Sequence, residues 1–108
     1  MYENVDIKKI LGSKIKTLRQ INDVTQEELR KELGYRSTGM ISQIEDGTKG
    51  MSLEQVIKAA RFFNVHPAVL VSDVELDSDD LFMLQRLSIV LKKKGKHYAS
   101  IQTLLKNL

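Results

Sequence analysis

Apolar side chains recur every three or four residues along most of the chain, which is the spacing of amphipathic α-helices. This pattern predicts helices over residues 5–20, 25–33, 37–46, 53–63, 67–71, 79–94 and 96–107. Few residues interrupt these helices, because glycine occurs 6 times and proline once in 108 residues. The sequence therefore predicts an all-α fold.

Short polar motifs mark where the helices begin and end. Residues 25–28 (Thr-Gln-Glu-Glu) and 52–55 (Ser-Leu-Glu-Gln) have the form of capping boxes, in which the first and fourth residues satisfy each other's backbone amides. Ser37 and Ser78 are further N-cap candidates. Gly34 is expected to end the second helix in a left-handed conformation. The predicted inner face of the fourth helix carries Leu53, Val56, Ile57, Ala60 and Phe63.

The chain divides into two helical units joined by an acidic segment. Residues 1–73 hold five helices, residues 74–78 form a linker, and residues 79–108 form a helical hairpin broken at Gly95. Apolar side chains surround most of the sixth helix, although a surface helix needs a single apolar stripe. We therefore expect the hairpin to join two copies of the chain as a homodimer; the alternative is that it packs onto its own preceding helices. The predicted interface consists of Leu81, Phe82, Leu84, Leu87, Leu91, Tyr98, Ile101, Leu104, Leu105 and Leu108.

Composition and charge narrow the class of protein. The net charge of +3 weakly favours a polyanionic partner. The chain has no cysteine and no apolar run near the roughly 20 residues that span a bilayer, so we expect a cytoplasmic protein without a membrane partner. His66 and His97 lack neighbouring ligand residues, and the acidic residues 77–80 are interpreted as helix-start charges. Without a nucleophile–base pair or a glycine-rich phosphate loop, we expect no enzyme activity, no metal and no cofactor.

The predicted helices 25–33 and 37–46 are short, capped and joined by a tight turn, so the second can form a ridge that fits the DNA major groove. The resemblance to a known family is carried by Ile15, Leu18-Arg19, Thr-Gln-Glu-Glu-Leu at 25–29, Gly34, Ile-Ser-Gln-Ile-Glu-Asp-Gly at 41–47, Leu-Glu-Gln-Val-Ile-Lys-Ala-Ala at 53–60 and Val-His-Pro at 65–67. In this order and spacing, the chain resembles the phage-repressor and Cro-like (XRE-like) helix-turn-helix family over about residues 7–71. The resemblance implies a five-helix lambda-repressor-like DNA-binding domain, followed here by the C-terminal helical hairpin.

The resemblance also implies which residues contact DNA. Base contacts are expected from the exposed side of helix 37–46, at Thr38, Gly39, Ser42 and Gln43. The Gln43 amide suits paired hydrogen bonds to adenine, whereas Gly39 leaves space. Phosphate contacts are expected from Gln26, Arg36, Lys49 and Ser52. The alternatives are small solvated positions for Thr38 and Ser42, and solvated loop charges for Arg36 and Lys49.

Two further features concern packing around the motif. The resemblance implies a structural ion pair between Arg19 and Glu45 that ties the first helix to the third. The chain departs from the family at the turn, where Arg36 makes the segment one residue longer and so affects the tilt of helix 37–46. It departs again at Arg30 and Lys31, where the family commonly has alanine, and one of these two side chains is expected to lie along the helix interface.

These residues lead to one main function and one alternative. The main expectation is a homodimeric transcriptional regulator, a repressor, that binds an inverted-repeat operator in double-stranded DNA on the nucleoid. Its two recognition helices would read half-sites about 34 Å apart. The alternative is a regulator whose C-terminal helices bind a protein antagonist or a toxin.

Overall fold

The computed structural model describes residues 6–93, with side chains through Ile89. Within this range the chain forms helices and no strand, so the predicted all-α fold is confirmed. The helices are α1 (Ile7–Ile21), α2 (Gln26–Leu33), α3 (Thr38–Glu45), α4 (Leu53–Phe63), α5 (Pro67–Val71) and α6 (Ser78–Lys93). The predicted helix 96–107 lies outside the described residues, as do Tyr98, Ile101, Leu104, Leu105 and Leu108, and the Leu91 side chain lies outside the described side chains.

The start and the end of α2 follow the local sequence closely. Thr25 Oγ1 accepts a hydrogen bond from the Glu28 amide at 3.0 Å, and Glu28 Oε1 accepts one from the Thr25 amide at 3.1 Å. The predicted capping box is therefore confirmed. Gly34 ends the helix at φ 78°, a left-handed conformation that a side chain would strain.

The other predicted caps are only partly confirmed. Ser52 Oγ accepts from the Gln55 amide at 3.2 Å, but Gln55 Oε1 is buried without a hydrogen-bond partner among the described residues, so the second capping box is half formed. Ser37 occupies the N-cap of α3 without a side-chain hydrogen bond. The Ser78 prediction is wrong by one residue, because Asp77 Oδ1 accepts from the Asp80 amide at 2.9 Å and Asp80 Oδ2 from the Asp77 amide at 3.2 Å.

The hydrophobic core lies around α1, which packs against α3, α4, α5 and α6. Leu53 is an exception to the predicted pattern, because it stands exposed in the first turn of α4. Burial of the apolar side chains in this core is the main favourable contribution to folding. The buried apolar residues are Leu11, Ile15, Leu18, Leu29, Leu33, Ile41, Ile44, Val56, Ala59, Ala60, Phe63, Val65, Leu70 and Leu81.

Helix α1 and helix α3 approach closely at Gly12. A Cβ on this residue would overlap the carbonyl oxygen of Ile44 and stand 2.9 Å from that of Glu45. Only a glycine fits there without moving backbone, so this position fixes how near the recognition motif lies to α1. Periodicity could not reveal the contact, because the two segments are distant in sequence.

Lys14 is buried in the same region, although the pattern of the sequence places it among polar positions. Its Nζ donates hydrogen bonds of 2.8 Å to the carbonyl oxygens of Val69 and Ser72, at the end of α5. Burial lowers the pKa of the ammonium below its usual value, and the nearby Asp73 carboxylate partly offsets this effect. Lys14 thereby joins α1 to the carboxyl end of α5, where helix carbonyls lack partners.

The beginning of α6 belongs to the same core as the five preceding helices. Leu81 is fully buried there, so its predicted place in a dimer interface is wrong: its own chain already covers it. Gln85 is also buried, and its Nε2 donates to the Phe63 carbonyl oxygen at 2.7 Å and to Asn22 Oδ1 at 3.1 Å. Leucine and glutamine one turn apart thus fix α6 against the ends of α1 and α4.

Candidate nucleic-acid interface

The turn between α2 and α3 is held by Arg30. Its Nη1 donates to the Tyr35 carbonyl oxygen at 3.0 Å, while its Nη2 lies 2.6 Å from Glu27 Oε1. The Gly34 and Tyr35 amides in turn donate to the Arg30 carbonyl oxygen at 2.9 Å and 3.1 Å. Arg30 is half-buried and Lys31 is exposed, so Arg30 is the one of the two that packs at the turn. The added residue Arg36 is accommodated as an exposed loop position beyond this contact.

Helix α3 has a buried face and a polar face. Ile41 and Ile44 are buried against the rest of the domain, whereas Gly39, Ser42 and Gln43 are exposed and Thr38 is half-exposed. Within residues 6–93, the side chains of Ser42 and Gln43 form no hydrogen bond. The four predicted base-contacting residues therefore share the outer side of one short helix, where the side chains of Ser42 and Gln43 face solvent.

A carboxylate under α3 connects this helix to α1 and α2. Glu45 Oε2 lies 2.6 Å from Arg19 Nε, and Glu45 Oε1 accepts from Arg19 Nη2 at 3.0 Å. The side chains of Arg19 and Glu45 are 14% and 3% exposed, and the hydrogen bonds to Glu45 raise the pKa of the guanidinium. Such a two-point pair is strong and directional, so it fixes the orientation of α3 on α1.

Gln26 is part of the same network. Its Nε2 donates to Glu45 Oε1 at 3.1 Å, and the carboxylate can only accept, so the amide must direct its NH₂ group inward. The sequence motif placed Gln26 at a phosphate contact. The structure places it at the first position of α2, half-buried, with its amide oriented by Glu45.

The loop from α3 to α4 carries the remaining predicted phosphate contacts. Lys49 and Ser52 are both exposed, and the Thr48 and Lys49 amides donate to the Gln43 carbonyl oxygen at 3.0 Å and 3.1 Å. Asp46 Oδ1 accepts from the Thr48 amide at 2.8 Å, and hydrogen bonding from Thr48 lowers the pKa of the Asp46 carboxyl. The loop is thus fixed directly to the exposed residues at the end of α3.

Other kinds of site are not found in the described part of the chain. Among residues 6–93, no three His, Cys, Asp or Glu side chains are grouped so that they could hold a metal ion. In the same range no helix is long and apolar enough to cross a membrane. The capped α2, the tight turn and the polar outer face of α3 together define a helix-turn-helix unit.

Comparison with known proteins agrees with this class. The helix-turn-helix family model matches residues 15–70. A transcriptional repressor of the cryptic phage CTXphi, RstR of Vibrio cholerae, is 38% identical over 71 residues, which are 66% of this chain and 63% of the relative. The HTH-type transcriptional regulator MJ0272 of Methanocaldococcus jannaschii is 35% identical over 70 residues, which are 65% of this chain and 98% of the relative.

The chain belongs to the phage-repressor and Cro-like (XRE-like) helix-turn-helix family of transcriptional regulators. It spans slightly less than two thirds of the length of the Vibrio repressor. A search of solved structures found no significant match to the chain. Family membership implies that the domain binds DNA.

Proposed function

We propose that the protein is a sequence-specific repressor of transcription that binds an inverted-repeat operator as a homodimer through α3. The observation that carries this proposal is the polar outer face of α3, backed by the ion pair of Arg19 and Glu45. The relative from Vibrio cholerae is named a transcriptional repressor, which favours repression over activation. This function places the protein in the cytoplasm, on the nucleoid.

Base reading is assigned to the four outward residues of α3. The free amide of Gln43 can donate to N7 and accept from N6 of one adenine, in a pairing that discriminates against another base by about 1–3 kcal/mol. Thr38 and Ser42 offer hydroxyl groups, and Gly39 lets the helix approach the bases closely. Specificity then depends on α3 keeping its orientation, which the contact at Gly12 and the Glu45 network supply.

Phosphate contacts are assigned to residues on either side of α3. Gln26 is oriented by Glu45 and has a second amide hydrogen left to donate to a phosphate oxygen. Arg36 and Lys49 bring exposed positive charge, and Ser52 lies at the start of α4, where helix amides attract anions. These contacts set the position of the domain on the duplex, while the bases select the sequence.

The dimer interface is assigned to the outer side of α6. Phe82, Met83 and Leu87 are 46%, 70% and 44% exposed, although each is a large apolar side chain. Met83 and Leu87 are four residues apart and lie on one helical stripe, and Leu84 borders it half-buried. An exposed apolar stripe of this kind favours an interface, and a second copy would give the two-fold pairing that an inverted repeat requires.

Sedimentation of the full chain tests the dimer. We expect the double variant Met83→Glu, Leu87→Glu to sediment as a monomer at concentrations where the unaltered protein is a dimer. Val74→Glu is the matched control, since Val74 is equally exposed and lies outside the stripe. A double variant that dimerises as tightly as the control would refute this interface. The α6 stripe would then be a binding surface for another protein, such as an antagonist or a toxin.

Selection from a random pool of DNA duplexes tests the whole proposal. We expect enrichment of an inverted repeat whose half-sites are centred about 10 base pairs apart, or a multiple of that distance. A pool that gains no sequence preference after repeated rounds would contradict sequence-specific binding. Enrichment of a single half-site without a repeat would instead contradict the dimer alone.

A further inference from the structure

The first turn of α1 lies against the loop that precedes α4. The side chain of Lys8 runs along Gly50: a Cβ on that glycine would stand 3.6 Å from Lys8 Cε, 3.8 Å from its Cγ and 3.9 Å from its Cδ. The absence of a side chain on Gly50 leaves the lysine stem free to follow the loop. Lys8 and Lys49 are both exposed, so two positive charges share this surface.

This surface is joined to the recognition helix through the backbone. The Lys49 amide donates to the carbonyl oxygen of Gln43 at 3.1 Å, and Gly50 follows directly. The Lys8 side chain therefore lies on a loop whose backbone is hydrogen-bonded to that of Gln43, the proposed base-reading residue. When α3 lies in the major groove, the sugar-phosphate backbone of the duplex would run beside this loop.

Neither Lys8 nor Lys49 forms an ion pair with another described residue. Among residues 6–93 the ion pairs are Arg19 with Glu45 and Arg30 with Glu27, and neither lysine takes part in them. Lys9 differs from Lys8, because it lines a cleft shared with the carboxylates of Glu75, Asp77 and Asp80. Of the two adjacent lysines, Lys8 is the one whose side chain lies against Gly50, next to Lys49.

We propose that Lys8 is a further DNA-contacting residue, which binds a backbone phosphate beside the one assigned to Lys49. This inference rests on the proposed function and extends the DNA surface from α3 and its flanking loop to the amino-terminal turn of α1. The contact carries no sequence preference, since a lysine meets phosphate as a point charge. The contact strengthens binding and helps to set the angle at which the domain docks on the duplex.

The expected effect follows from the release of counterions. Each phosphate neutralised by a lysine adds about 0.9 to the negative slope of log affinity against log salt concentration. Loss of one contact from each protomer removes two contacts from the dimeric complex, so it reduces the slope by about 1.8 and weakens binding roughly 30-fold at physiological ionic strength. Lys8→Gln and Lys49→Gln should each show this change. In the double variant the two slope changes should add.

A salt titration of the full chain on one duplex, followed by fluorescence anisotropy, measures these slopes. Lys16→Gln is the matched control, because Lys16 is an exposed lysine on α1, eight residues and about 12 Å farther along the helix. Lys8→Arg keeps the charge and should restore the slope, and equal unfolding transitions should show that every variant folds.

The outcomes separate this inference from the function on which it rests. A shallower salt slope for Lys8→Gln and an unchanged slope for Lys16→Gln support the contact. A Lys8→Gln slope equal to that of Lys16→Gln overturns it, while a reduced slope for Lys49→Gln leaves the proposed function standing. An unaltered protein that binds no duplex at low salt overturns both.

Discussion

Removal of the Glu45 carboxylate by Glu45→Ala is expected to destabilise the fold by about 3 kcal/mol. The carboxylate pairs with Arg19 Nε at 2.6 Å and accepts from Arg19 Nη2 at 3.0 Å and Gln26 Nε2 at 3.1 Å. Loss of one partner of a buried pair costs roughly 3–5 kcal/mol, mostly because the other charge is left unpaired. The lower end applies here, since Arg19 is 14% exposed and keeps its 3.1 Å hydrogen bond to the Val24 carbonyl oxygen.

Urea unfolding followed by circular dichroism measures this loss, at one fixed protein concentration because the proposed dimer would add to apparent stability. Combined with Arg19→Met in a double-mutant cycle, the pair should show a coupling energy of at least about 2 kcal/mol. Glu27→Ala is the control, since its ion pair with Arg30 lies at the surface, where screening by solvent leaves it a small contribution to stability. Additive effects of the two substitutions, or a loss for Glu45→Ala no larger than that of the control, would refute the reasoning.

Three further predictions concern stability. Gly12→Ala should cost about 3 kcal/mol, because its methyl group would overlap the Ile44 carbonyl oxygen; Ser13→Ala is the exposed neighbour for comparison, and equal urea midpoints would contradict the close approach. Asp77→Ala should cost about 1 kcal/mol through loss of the α6 cap, whereas Asp79→Ala should cost less, and a reversed order would show that Asp77 does not cap the helix. Lys14 has a lowered pKa in the folded state, so the unfolded state binds more protons in the pH window below the usual lysine value of 10.5. The unfolding free energy of the unaltered protein should therefore rise with pH through that window relative to Lys14→Met, and parallel pH profiles of the two proteins would contradict the buried ammonium.

Most of the helices could be predicted because their signals are local. Apolar spacing, the Thr25 capping box and the left-handed Gly34 each act within a few residues, and the structure places α2 and α3 within one residue of the predicted ends. The cap of α6 was misplaced because Ser78 and Asp77 are adjacent and both can cap a helix. The polar outer face of α3 follows from the same local periodicity.

Contacts between distant segments could not be predicted in this way. Lys14 fits a polar position of α1 by pattern, and only the fold brings the end of α5 to its ammonium group. The apolar circumference of α6 shows that the helix must be covered, but not that Leu81 is covered by its own chain and Met83 is not. The hydrogen bond from Gln26 to Glu45 likewise spans 19 residues of sequence and needs the packing of α2 on α3.

The binding of Gln43→Ala to a duplex selected by the unaltered protein tests the central claim most directly. Loss of a paired contact to adenine should cost about 1–3 kcal/mol in each half-site, which is about 2–6 kcal/mol or roughly 30- to 25,000-fold for the dimeric complex, and should relax the preference at one base pair of each half-site. Affinity for random duplex and the salt slope should not change, and Gln20→Ala, an exposed glutamine on α1, should bind as the unaltered protein does. Undiminished affinity of Gln43→Ala for the selected duplex, with the base preference intact, would contradict base reading by α3.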